Sequence, residues 1–82
     1  MNHELKIWPQ YFERVRDGSK TFEVRENDRG FQSGDTVTLC EWDPEINREN
    51  KFTNSEPITF KIGYVLPIDG NRVVFSLLEI KE

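Results

Sequence analysis

Apolar and polar positions along the chain change period at a few well-marked points. In "ELKI", Leu5 and Ile7 recur at every second residue, which predicts a short strand with both facing inward. "WPQYFERVRDG" switches to a helical period, with Tyr11, Phe12 and Val15 on one stripe. Pro9 fits the first turn, where its missing N–H is not needed, and Gly18 suits a left-handed stop. "KTFEVRE" alternates again, with Phe22 and Val24 on the side of Lys20 and with Thr21, Glu23 and Arg25 on the other. "TVTLCEW" places Val37 and Leu39 on one face and Thr36, Thr38, Cys40 and Trp42 on the opposite one. "ITFKIGYVL" predicts a long strand with Ile58, Phe60 and Ile62 inward and a bulge at Gly63. Asp69-Gly70 signals a hairpin turn. "RVVFSLLEI" is nearly continuous in apolar residues, which predicts a last strand covered on both faces.

Turn formers crowd "NDRGFQSGD", and "DPEINRENKFTNSEP" is a long polar loop. A loop of that length in a small domain is often functional, so residues 43–56 are either an ordinary solvated loop or a lid over a cleft. The elements add up to a mainly β (α+β) fold of about five strands with one short helix near the start. Strands this short remove their exposed edges best by curling into a small barrel.

The chain has 82 residues, which sets a single domain, 1–82, with a thin core. It contains no Ala, while Val, Ile and Thr number 17, and branched side chains favour strands over helices. No apolar run approaches the ~20 residues of a membrane span. "MNHELKIWPQ" carries charges where a signal peptide needs an apolar stretch. Cys40 is the single cysteine and no Cys/His cluster could ligate zinc, so neither a disulfide nor a metal is expected, and no cofactor. A soluble cytoplasmic monomer in a reducing compartment is the expectation.

Net charge is −4, against a long phosphate track held by bulk charge. Residues 1–30 hold six basic and six acidic groups, whereas 31–82 hold five and nine. An anion-binding face would therefore be built from the first third. There "GSKTFEVR" brings Lys20, Glu23 and Arg25 within six positions. Lys20 can hold a phosphate, or act as a nucleophile if its proton is lost. Glu23 can orient Lys20, accept from a base amino group, or serve as general base. Arg25 offers a planar fork for phosphate or for stacking on a base. Strict alternation sends Lys20 away from the other two. All three converge only if the strand begins after Lys20, leaving it in the helix–strand turn. An ordinary structural ion-pair cluster is the alternative.

The run "PQYFERVRDG" followed by "GSKTFEVR" resembles the ASCH domain, a PUA-like barrel whose Gly-x-Lys-x-x-Glu-x-Arg signature is matched by Gly18, Lys20, Glu23 and Arg25. "DRGFQSGDTVTLCEWD" looks like the short bacterial and phage branch of that superfamily. The resemblance implies a cleft beside the helix start, lined by the signature residues and suited to RNA or a nucleotide. One ASCH subgroup is an amidohydrolase acting on N4-acetylcytidine through a lysine, a threonine and a glutamate. Its lysine would match Lys20, its threonine falls on Glu23, and its glutamate lies in a helical region this shorter chain lacks. If the chain is an enzyme of that kind, Lys20 and Glu23 are the catalytic candidates. A protein-interaction module, with the acidic second part docking on a basic partner, is a further alternative.

Other residues complete the candidate site. Trp8, beside the helix start, is either a stacking surface for a base or a plug of the thin core. Trp42 offers the same two readings with core packing favoured, and Tyr11 and Phe12 read as core. Arg29 either extends a basic rim toward phosphate or is a solvated turn residue. His3 lacks a partner pattern and reads as surface. Asp43, Glu45 and Glu49 lack the spacing of a calcium loop.

Overall fold

A computed structural model describes residues 1–43, 45 and 55–80. Its elements run β1 (Asn2–Ile7), α1 (Pro9–Arg16), β2 (Phe22–Glu26), β3 (Thr36–Glu41), β4 (Ile58–Pro67) and β5 (Arg72–Glu79). The five strands form one sheet in the order β1-β3-β4-β5-β2. β1 pairs with β3 in parallel, and the other pairs are antiparallel. Mainly β, with one short helix among the described elements, the fold is the one the sequence pattern predicts. The barrel, however, is a half-barrel: β1 and β2 are both edge strands, unpaired to each other. The Arg25 side chain spans that seam, donating from Nη2 to the Lys6 carbonyl at 2.9 Å.

The core lies inside the curl. Leu5 and Ile7 of β1, Val37 and Leu39 of β3, Ile62 of β4, and Val73, Phe75 and Leu77 of β5 are all buried there. α1 plugs the hollow with Phe12 and Val15, and Phe12 has no exposed surface. Its chain reversal uses Gly18 at φ +86°, a conformation that a side chain with a Cβ adopts only with strain. β5 departs from expectation. Val73, Phe75 and Leu77 are buried, but Leu78 is about half exposed, so only one face of that strand is fully covered. Continuous apolar sequence here reflects an uncovered outer face, which Phe22, Val24, Tyr64 and Leu66 extend.

The predicted bulge at Gly63 is present as a register shift between Ile62 and Val65. A Cβ at residue 63 would sit 2.6 Å from Ser76 Oγ and 3.0 Å from Leu78 Cδ1. The same Ser76 oxygen accepts a hydrogen bond from the Tyr64 N–H at 2.9 Å. Gly63→Ala is therefore expected to cost about 1–3 kcal/mol through overpacking and loss of that bond. Urea titration monitored by circular dichroism measures it, and an unchanged midpoint would contradict the account.

His3 is not a surface residue. It is 4% exposed, packs edge-on against Phe31 with ring centroids 4.8 Å apart, and places Nε2 2.9 Å from Asp35 Oδ2. Asp35 also accepts from the Gln32 N–H at 3.2 Å. The His3 contact, and then the terminal amine and the Gln32 N–H, hold the Asp35 carboxyl below the ordinary carboxylate value. A folded-state pKa below the unfolded one means that the ionised form favours the fold. That contribution is complete above the unfolded value of about 4 and is lost as pH falls through the lower folded one. Asp17 and Asp69, also lowered, act in the same direction. Asp35→Asn is expected to reduce stability at neutral pH and to make the acid decline shallower without abolishing it. Parallel acid decline in the variant and the parent protein would contradict this.

Candidate functional site

The site begins with the turn that ends α1. Asp17 accepts from the Ser19 N–H at 2.8 Å and from the Ser19 hydroxyl, while the Lys20 N–H donates to the Arg14 carbonyl at 2.9 Å. These bonds keep Lys20 outside the strand, which starts at Phe22. The condition for convergence is thus met. The Lys20 ammonium donates to Glu23 Oε1 and, at 2.6 Å, to the Phe22 carbonyl. It also lies 5.1 Å from the centroid of the Phe22 ring, a cation–π distance. Arg25 Nε donates to Glu23 Oε2 at 2.8 Å.

β2 turns its charged face inward. Glu23 is 3% exposed, whereas Phe22 and Val24 on the other face are 46% and 43% exposed. Two cations on two oxygens compensate the burial of this carboxylate, which alone would be strongly unfavourable. The side chains of Lys20 and Arg25 remain 19% and 26% exposed and reach the surface. Two of the three ammonium N–H groups and two of the five guanidinium N–H groups are used by these bonds. The others have no acceptor among the described residues.

A cleft of about 470 Å³ opens at this cluster, in the seam between β1 and β2 and beside the start of α1. Lys20, Glu23 and Arg25 line it together with Trp8 and Tyr11. Trp8 is 50% exposed and does not plug the core. Tyr11, which the helical stripe assigned to the core, is 49% exposed. The two rings are near parallel, 20° apart in plane with centroids at 6.4 Å, and form an aromatic shelf. Trp8, the extended residue before α1, stands three positions from Tyr11 in the first turn of the helix, and that short spacing is the sequence signal for including Tyr11. Lys6 also lines the cleft and holds its ammonium 5.2 Å from the Trp42 ring centroid. Trp42 is half-buried at the end of β3. Cys40 is half-buried, and burial pushes its thiol above the ordinary value, which disfavours a thiolate nucleophile.

Arg29 is exposed and lies apart from the cleft. It lines a second hollow of about 400 Å³ that continues along the seam beyond Arg25. Of the candidate lid, residues 43–56, positions 44 and 46–54 lie outside the described residues, Glu49 among them. No group of three or more His, Cys, Asp or Glu side chains that could hold a metal occurs among the described residues. No described helix is long and apolar enough to cross a membrane.

The family model described as Domain of unknown function (DUF3850) matches residues 2–77. The chain belongs to that family. A stretch of 40 residues is 45% identical to a protein of Escherichia phage P2, named "Uncharacterized 12.9 kDa protein in GpA 3'region". The match covers 49% of this chain and 37% of the phage protein, so the chain spans little more than a third of that relative. Within this DUF3850 domain, residues 2–77 take in the whole cleft: the aromatic shelf, the helix–strand turn and β2.

Proposed function

We propose that this domain is a nucleotide- or RNA-binding module of the ASCH/PUA-like kind, taking one nucleotide in the cleft between β1 and β2. The observation that carries this reading is the juxtaposition of an exposed aromatic shelf, Trp8 and Tyr11, with two cations held on one buried carboxylate. A base has a π-face for the shelf, and stacking of this kind contributes about 1–3 kcal/mol per base. Phosphate or carbonyl oxygens suit the unengaged N–H groups of Lys20 and Arg25. The cleft volume of about 470 Å³ lies in the range of small-ligand sites. Because net charge is −4, a confined ligand fits better than a long phosphate track.

An amidohydrolase acting on an acylated nucleoside is less well supported. It needs a carboxylate oxygen free to take a proton from water or substrate, and both Glu23 oxygens are already engaged in a buried position. Glu23 is better placed to position the two cations than to act on a ligand.

Tryptophan fluorescence tests the binding reading. In a Trp42→Phe background Trp8 is the single tryptophan. Titration with adenosine 5′-monophosphate is expected to change its emission saturably, and Trp8→Ala is expected to weaken binding by about 1–3 kcal/mol with little change in stability. Emission that stays constant through millimolar nucleotide would overturn the reading.

A further inference from the structure

The two hollows along the seam differ in charge. The cleft has three cations, Lys6, Lys20 and Arg25, against the single carboxylate of Glu23. The hollow beyond Arg25 has Lys6, Arg25 and Arg29 against Glu4, Glu26 and Asp28, and so balances. An anionic group is therefore favoured in the cleft and not in the adjoining hollow. Within the cleft, Lys20 and Arg25 occupy opposite oxygens of one carboxylate, which spaces them as two donors around an oxyanion are spaced. Arg25 is also fixed at its far side by the Lys6 carbonyl. It is thus held as a fork before any ligand arrives, which lowers the ordering entropy of binding. The aromatic shelf offers ring faces, whereas base-edge recognition requires fixed donors and acceptors.

Resting on the nucleotide reading above, we propose that the cleft selects for a phosphate and not for a base: the ligand is a nucleoside monophosphate or the terminal nucleotide of a strand. Its phosphate bridges Lys20 and Arg25, and its base, of any kind, lies on Trp8 and Tyr11. Charge-assisted bonds to the phosphate supply most of the selectivity, while stacking tolerates all four bases.

Calorimetric titration of the whole chain separates the two levels of this account. Adenosine 5′-monophosphate is expected to bind roughly ten- to a hundredfold more tightly than adenosine, with the four ribonucleoside monophosphates within about threefold of one another. Lys20→Gln should bring the monophosphate and the nucleoside close to equal affinity, and Lys20→Arg should restore most of the difference. Circular dichroism checks that both variants are folded. Equal affinity of adenosine and its monophosphate for the unmodified protein, or a tenfold preference for one base, would overturn phosphate selection while leaving nucleotide binding intact. Absence of heat with every nucleoside and nucleotide would overturn both.

Discussion

Phe12→Ala is expected to destabilise the domain by about 3–5 kcal/mol, the range for emptying a fully buried aromatic site. Phe12 has no exposed surface and is the larger of the two core anchors of the one described helix, the other being Val15. Small domains have roughly 5–15 kcal/mol of stability in total, and one of 82 residues belongs at the low end. The variant should keep at most about 2 kcal/mol and be partly unfolded at physiological temperature. Functional consequences follow through the same helix. α1 presents Tyr11 to the cleft beside Trp8 at its N-cap, and its last turn accepts the Lys20 N–H through the Arg14 carbonyl. Undocking α1 would scatter the shelf and the ammonium together. Phe12→Leu, which leaves less empty volume, should be folded and retain binding. Equal denaturation midpoints for Phe12→Ala and the parent would show that α1 contributes little to the core.

Arg25→Ala combines a large expected loss of binding with a moderate loss of stability. Its guanidinium satisfies one oxygen of a buried carboxylate and ties β2 to β1 across an unpaired seam. Removing one partner leaves Glu23 held by Lys20 alone, at a cost of about 1–3 kcal/mol, toward the lower end because the arginine is partly exposed. Binding loses a cation and a fork of donors at once, so a nucleotide affinity drop of more than roughly tenfold is expected. Arg25→Lys keeps the charge but lacks the fork, and cannot serve Glu23 and the Lys6 carbonyl with the same planar geometry. It should recover part of the stability and little of the affinity. Full affinity in Arg25→Ala would remove this residue from the site.

Much of the fold is legible in the sequence because its strongest signals are local. Leu5 and Ile7, Val37 and Leu39, and the Gly63 bulge follow from period and turn chemistry alone. Lys20, Glu23 and Arg25 converge only where β2 begins after Lys20, and Gly18, Asp17 and Ser19 meet that condition by holding Lys20 in the turn. What failed depends on long-range partners. His3 is buried because Asp35, thirty-two positions away, meets its ring nitrogen, and no local pattern encodes that pairing. Tyr11 shares a stripe with Phe12 and Val15, but a small sheet covers only a narrow arc of a helix, and the Tyr11 edge of the arc borders the open seam. Alternation divides β2 into two faces without saying which is inward. Hydrophobicity favours the face of Phe22 and Val24, yet the charged face is buried because the seam gives Glu23 two cations as partners. The small curled sheet that short strands predict is present as a half-barrel, and at its seam the Arg25 side chain of β2 reaches across to β1.

The most direct measurement of the central claim is a 15N-edited NMR titration of the labelled domain with adenosine 5′-monophosphate, read residue by residue. Saturable shifts are expected at the Trp8 indole, the Lys20–Arg25 backbone and the Arg25 Nε–H, with the outer face around Tyr64 and Leu66 unmoved. Spectra that do not change, or shifts centred on that outer face, would contradict it.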